Sequence, residues 1–188
     1  MRGLIAPVAA AALLTAGCAA TGVDRSFTPR EAPAKPPVAE ETTPAPETVQ
    51  VGKTMTVTIE RPVGADPVLL KAFTDYYLAS WRAVVGDDDT GYTELVEDPA
   101  AREAYDWVAS FAGQRVKGTA KVYAMRVTAV VGDGAQVNAC VDETGLRLTK
   151  GAPAWTRKPY LQAVVVHRGD DGVWRIKGFR HSWKGCAR

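Results

Sequence analysis

The fold is decided by residues 115–142, RVKGTAKVYAMRVTAVVGDGAQVNACVD, where the chain changes from a helical to an extended pattern. Residues 115–131 are rich in Val, Thr and Tyr, which favour strands. The sequence Gly132-Asp133-Gly134 predicts a tight hairpin turn before a second strand at residues 135–142. Two further strands are predicted at about residues 158–168 and 173–183, with an irregularity where Gly178 interrupts the alternation. These four strands predict an antiparallel meander.

The residues before this stretch have the pattern of helices. Asp66-Pro67 combines a good N-cap acceptor with a proline suited to the first helical turn. Apolar residues then recur at three- and four-residue steps as far as Gly86: Leu69 or Leu70, Phe73, Tyr77, Trp81 and Val84. The same signals predict a second helix from Asp98-Pro99 towards Gly113, and residues 92–97 predict a short helical turn.

Helices followed by a meander predict an α+β domain, because the helices can cover one face of the sheet. We therefore expect two to three N-terminal helices packed on a curved four-stranded antiparallel sheet.

The N-terminus has the pattern of an export signal. Arg2 is followed by an apolar run over residues 3–16, shorter than the roughly 18 residues that a membrane-spanning helix needs. The stretch Leu14-Thr15-Ala16-Gly17-Cys18 resembles the bacterial lipobox, although Thr15 stands where that pattern usually has Leu. The resemblance implies that residues 1–17 are a lipoprotein signal peptide and that Cys18 becomes an acylated N-terminus (diacylglycerol and palmitate). The protein is then expected on the extracytoplasmic face of the cell membrane. An ordinary cleaved signal is the alternative.

Three segments are predicted after the signal. Residues 18–53 are rich in Pro, Thr and Glu and predict an extended tether that cannot bury a core. Residues 54–65 contain the alternating sequence TMTVTIE, which predicts a loosely attached edge strand. Residues 66–188 form the predicted domain.

The chain has three cysteines. If Cys18 carries lipid, Cys140 and Cys186 remain as a pair in an oxidising compartment, which suggests a disulfide. Free thiols and a metal site are the alternatives. A metal is not expected, because the chain contains neither a CxxC motif nor clustered histidines.

The charge is distributed unevenly, although the formal net charge is only +2. Residues 66–106 contain three basic side chains against ten acidic ones, whereas residues 115–188 contain fourteen basic against five acidic. One interpretation is an acidic helical layer that helps to orient a basic sheet within one domain. The other is a basic sheet surface that meets an anionic partner such as a lipid headgroup or a cell-wall polymer. The net charge gives no support for nucleic-acid binding.

Four stretches together resemble a known family: LKAFTDYYLASWRAVVGDD, VNACVDETG, DGVWRIKGF and the later KGC. They are similar to small secreted or lipid-anchored actinobacterial proteins with a nuclear transport factor 2-like fold. The resemblance covers residues 66–186. It implies a cone-shaped α+β domain with a Cys140–Cys186 disulfide, in a family mostly without assigned activity.

Relatives on this fold include ketosteroid isomerase and polyketide cyclase enzymes, whose pocket lies between the helices and the concave sheet. The resemblance therefore makes Tyr77, Trp81, Tyr123, Asp142 and His181 the pocket candidates, with Asp142 and His181 as weak candidates for proton transfer. In the alternative interpretation the aromatic residues are core, Asp142 is a local hydrogen-bond acceptor and His181 lies at the surface or rim.

No GxSxG or HExxH motif occurs in the chain. The expected function is therefore a non-enzymatic, membrane-tethered binding or accessory domain without a cofactor, acting on an envelope protein, a lipid or a cell-wall component. An isomerase or cyclase with a small apolar substrate is the alternative, and a homodimeric structural spacer is a third hypothesis.

Overall fold

The computed structural model describes residues 43–86, 90–151 and 154–186. Within them lie the helices α1 (Pro67–Val85) and α2 (Ala100–Ala109), and short 3-10 turns at Thr93–Leu95 and Ala154–Arg157. The strands are β1 (Glu47–Val51), β2 (Met55–Ile59), β3 (Val116–Val131), β4 (Gly134–Leu148), β5 (Tyr160–Arg168) and β6 (Trp174–Ser182). The predicted signal, Cys18 and most of the predicted tether lie outside the described residues.

Helix α1 begins and ends where the sequence predicts. The Asp66 carboxylate accepts a hydrogen bond from the Val68 N–H at 2.9 Å and so caps the first turn. Gly86 ends the helix in the left-handed conformation, which a residue without a Cβ adopts without steric cost. The prediction for the start of α2 was wrong in detail, because Pro99 occupies the N-cap position and no side chain caps the helix. Asp98 therefore does not have the role that Asp66 has.

The six strands form one sheet in the order β1-β2-β3-β4-β5-β6. The pairs are antiparallel except for β2 and β3, which run parallel, with Met55 opposite Gly118 and Ile59 opposite Val122. The α+β class and the packing of helices on a curved, mostly antiparallel sheet are confirmed. The expected four strands are too few, because β1 and β2 extend the sheet beyond β3.

Two predictions about residues 47–59 need correction. Strand β2 is not an edge strand, since it lies between β1 and β3 and buries Met55, Val57 and Ile59. Strand β1 lies inside the segment predicted as a tether and forms the edge instead. Composition did not reveal β1, because its place is determined by pairing with β2 across the Gly52–Thr54 turn.

Strands β3 and β4 are long and irregularly paired. Their register shifts at three places, between Thr119 and Lys121, between Tyr123 and Arg126, and between Val127 and Ala129. At each shift one strand has more residues than its partner, and the extra residues bend the strand and increase its twist. The pairing of β5 with β6 also shifts, at Val165 and Val166 opposite Gly178 and Ile176, which confirms the predicted irregularity near Gly178.

The core lies between α1 and the inner face of the sheet. Its largest fully buried side chains include Trp81 and Phe73 from α1, Phe111 after α2, and Val57, Val122, Val137 and Ile176 from the strands. Trp81 packs edge-on against Trp107 with ring centroids 5.1 Å apart, which joins the two helices. A disulfide joins Cys140 on β4 to Cys186 beyond β6, with their Cα atoms 5.7 Å apart.

Candidate functional site

A cleft opens between the helices and the last two strands, and we call it the aromatic cleft. Its mouth has a volume of about 300 Å³, and a smaller inner cavity of about 40 Å³ shares four lining residues with it. Those four are Glu103, Trp107, Tyr160 and His181. The inner cavity is enough for a water molecule, and the mouth has the volume of a small ligand pocket.

Six aromatic side chains form most of the walls of the aromatic cleft: Tyr76, Tyr77, Trp107, Tyr160, Phe179 and Trp183. The Tyr160 ring lies 5.7 Å from the His181 ring and 6.1 Å from the Trp183 ring. Tyr76 packs against Phe179 at 5.1 Å and lines the inner cavity. Trp183 is 46% exposed, so a broad indole face is available at the mouth. The walls therefore favour a flat, largely apolar ligand.

Two titratable residues lie at the rim of the aromatic cleft. Partial burial raises the pKa of Glu103 and lowers the pKa of His181, because each loses water that stabilises its charged form. Both side chains nevertheless remain exposed at the surface. The rim therefore offers a carboxyl and a mostly neutral imidazole that can form hydrogen bonds to a ligand.

A buried carboxyl lies behind the inner cavity. Glu143 on β4 is fully buried, and its Oε1 accepts a hydrogen bond from the Tyr77 hydroxyl at 2.9 Å. Tyr160 and Trp81 present a hydroxyl and an indole N–H to the same carboxyl, but only the Tyr77 contact has hydrogen-bond geometry. The second oxygen, Oε2, has no hydrogen-bond partner among the described residues.

Burial raises the pKa of Glu143 to about 7, despite the three polar neighbours that lower it. The nearby Asp142 charge raises it further. Burial and the Glu143 charge also raise the pKa values of Tyr77 and Tyr160 well above 10, so both hydroxyls stay protonated as donors. Tyr77 and Tyr160 line the inner cavity, whereas Glu143 does not. Glu143 therefore lies behind these two tyrosines and does not reach the inner cavity itself.

The structure places the five pocket candidates in different surroundings. Tyr77 lines the inner cavity and His181 lines both parts of the aromatic cleft. Trp81 is completely buried in the core. Tyr123 does not line the cleft, and the Lys121 ammonium lies 5.1 Å from its ring centroid. Tyr123 and Trp81 therefore do not line the aromatic cleft.

Asp142 is also outside the aromatic cleft. Its carboxylate accepts hydrogen bonds from the Thr144 N–H at 3.0 Å and from the Thr144 hydroxyl at 2.6 Å. Neighbouring residues of a strand point to opposite faces, so Asp142 faces away from the helices and Glu143 faces towards them. Sequence reasoning missed Glu143, although the alternation Val137, Ala139, Val141 predicts that position 143 points inward.

The described residues contain neither a metal-ligand cluster nor a membrane-spanning helix. In residues 43–86, 90–151 and 154–186, no group of three or more His, Cys, Asp or Glu side chains could hold a metal ion. None of the helices in these ranges is long and apolar enough to cross a membrane.

The fold and the aromatic cleft define an α+β domain with a ligand-sized opening between its helices and its sheet. No protein-family model matches the chain. No curated protein matches it either.

Several solved structures resemble it distantly. One is an NTF-2-like protein of unknown function from Pseudomonas aeruginosa, 16% identical, covering 63% of this chain and 99% of that one, with a TM-score of 0.43. Another is a ketosteroid isomerase-like protein from Erwinia carotovora atroseptica, 15% identical, covering 63% and 95%, with a TM-score of 0.43. A third is the intermembrane-space region of the chloroplast protein ARC6, 13% identical, covering 62% and 96%, with a TM-score of 0.41. At these scores the likenesses carry no argument about function.

Proposed function

We propose that the protein is a lipid-anchored, extracytoplasmic binding domain whose aromatic cleft holds a small, flat, largely apolar ligand. The observation that carries the binding role is the mouth of about 300 Å³ walled by Trp107, Tyr160 and Trp183. Apolar walls with a few polar groups are typical of ligand sites, because burial of the ligand's apolar surface supplies affinity and the polar groups fix the orientation of the ligand. Glu103 and His181 are the polar groups here.

The geometry supports binding better than turnover. Glu103 and His181 are both exposed at the rim, where water competes for any proton that they transfer. The one fully buried carboxyl described, Glu143, is separated from the inner cavity by Tyr77 and Tyr160. A domain that holds a ligand needs no buried acid in contact with it.

Binding in the aromatic cleft is tested with 2-naphthol, a neutral flat probe, by fluorescence titration. We expect Trp183→Ala to weaken binding roughly fivefold, because an aromatic contact adds about 1 kcal/mol beyond area burial. Tyr105→Ala on α2 is the control, since Tyr105 is 63% exposed and does not line the cleft. Equal affinities in the wild type and both variants would contradict binding at this site.

The lipid anchor is tested separately by cell fractionation. Replacing the thiol in Cys18→Ser removes the atom that would carry the diacylglycerol, so the chain is expected to leave the membrane fraction. Ser26→Ala is the control, because it changes another small side chain near Cys18 and leaves all three cysteines in place. Membrane association of the Cys18→Ser chain that still needs detergent for release would contradict the anchor.

The second candidate function is proton transfer by the rim pair. The observation in its favour is that Glu103 and His181 line the same mouth, with pKa values shifted in opposite directions by burial. Such a pair would exchange the α-protons of a flat cyclic ketone in heavy water. Exchange by the wild type that His181→Ala abolishes would favour this enzyme over the binding domain.

A further inference from the structure

A second opening lies at another place in the fold and shares no lining residue with the aromatic cleft. It has a volume of about 720 Å³, where the β1–β2 turn, the end of α1, the start of β3 and the end of β4 meet. Four of its lining residues are basic, namely Lys53, Arg115, Lys117 and Arg147. We call this opening the basic groove.

Backbone pairing and hydrogen bonds hold the chain positions that carry these four basic side chains. Lys117 lies directly opposite Arg147 in the β3–β4 ladder. The Arg115 N–H donates to the Thr149 hydroxyl at 3.1 Å, and the Thr149 N–H donates to the Arg115 carbonyl at 3.2 Å. The turn that carries Lys53 is held by the Thr54 hydroxyl, which donates to the Val116 carbonyl at 2.6 Å. The basic groove is thus built on paired strands and not on a free loop.

The positive charge of the basic groove is not neutralised within the described residues. No described Asp or Glu lines it, and none of its four cations forms an ion pair with a described residue. Elsewhere on the sheet Lys121 pairs with Glu60 at 2.6 Å and Arg175 with Asp171 at 2.6 Å. Like charges placed directly opposite on neighbouring strands, as in Lys117 and Arg147, are destabilising. A bound anion would relieve that repulsion.

We propose that the basic groove binds a phosphate-bearing anion. Two guanidinium groups and two ammonium groups are the side chains that suit phosphate, because each guanidinium can donate two parallel hydrogen bonds to its oxygens. The Gln114 and Thr149 side chains also line the groove and supply uncharged polar atoms for the rest of the ligand. A phospholipid headgroup at a membrane surface and a free phosphate ester share this chemistry.

The test uses the full chain with Cys18→Ser, so that an acyl anchor cannot hold it on vesicles. Binding is measured to phosphatidylcholine vesicles with and without phosphatidylglycerol, and to soluble glycerol 3-phosphate. Arg115→Gln with Arg147→Gln removes two charges from the basic groove. The matched control is Arg126→Gln with Arg180→Gln, which removes two exposed guanidinium groups that line none of the three openings.

We expect the groove variant to bind roughly tenfold more weakly or worse, because each basic residue near an anionic surface contributes about fivefold to the affinity and two are removed. The control variant is expected to keep most of its affinity. Selective loss on phosphatidylglycerol vesicles identifies a lipid headgroup, and selective loss on glycerol 3-phosphate identifies a soluble ester. Equal losses in both variants would mean unspecific attraction and would overturn the site. Absence of binding to every probe would overturn it as well.

Discussion

At the scale of single residues, Glu143 is the group whose surroundings are most unusual. Its folded-state pKa of about 7 lies above the unfolded value of 4.5 because burial penalises the charged form. The folded state therefore binds this proton more tightly than the unfolded state between these pH values. Its contribution to stability is fully present below about pH 4.5 and is lost as the pH rises through about 7.

Glu143→Gln is expected to remove this loss, because the amide stays neutral and can still accept from Tyr77. The free energy of unfolding of the variant, relative to the wild type, should rise by up to about 3 kcal/mol between about pH 4.5 and pH 8. Urea unfolding across this range measures the difference. The contribution of His181 to stability changes with pH in the opposite direction, because burial lowers its pKa. Both proteins contain His181, so this contribution cancels in the difference between their free energies of unfolding. Glu94→Gln is the control, because Glu94 is exposed. If the difference in the free energy of unfolding between Glu143→Gln and the wild type did not change with pH, Glu143 would be ionised in the folded protein.

Residue types alone could identify only part of the site. His181 and Tyr77 were selected from the sequence and lie at the aromatic cleft. Glu143 was not among the candidates, although strict alternation from Val137 places it inward. Tyr123 was likewise chosen by residue type, although its neighbour Val122 is completely buried and alternation places Tyr123 on the opposite face of β3. The Tyr77–Glu143 contact joins residues 66 positions apart, and no local pattern contains it.

At the scale of elements, β3 and β4 come into close contact at two glycines. A Cβ on Gly118 would lie 2.2 Å from the Gly145 carbonyl oxygen, and a Cβ on Gly145 would lie 2.6 Å from the Thr119 carbonyl oxygen. Gly118 also has a φ of +117°, which residues with a side chain rarely adopt. The two strands can therefore pair at this point only because neither position carries a side chain.

Gly118→Ala is expected to destabilise the protein by at least about 2 kcal/mol, because the backbone of β4 would have to move. Thermal unfolding measures the effect. Gly178→Ala on β6 is the matched control, since a Cβ there meets nothing within 4 Å. A Gly118→Ala protein as stable as the Gly178→Ala protein would contradict the close approach.

Elements were predictable where their signals are local. The limits of α1 follow from Asp66 and Gly86, which satisfy backbone groups within the same segment. Strand β1 lies in a Pro-rich region and gains its place only from pairing with β2. The parallel pairing of Met55 with Gly118 was likewise invisible, because it spans both helices in sequence.

At the scale of the whole molecule, the disulfide is the strongest constraint on the unfolded chain. It closes a loop of 46 residues, which is worth about 4 kcal/mol in the chain-entropy account. Cys140→Ser and Cys186→Ser are each expected to lower the free energy of unfolding by about this amount, and the double variant by no more than either. Denaturation with and without a reductant measures this, and reduced wild type should match the variants. Additive losses would show that the two thiols act independently.

The two edges of the sheet determine how the molecule behaves at high concentration. Strand β1 is only five residues long, so it offers little backbone to another sheet. Strand β6 is bridged at Ile176, where the Glu97 N–H donates to the Ile176 carbonyl at 2.9 Å. Its second half carries the exposed Arg180, which repels a like-charged copy. A sheet whose last strands would otherwise pair with further chains is thus blunted at both ends, which disfavours edge-to-edge association.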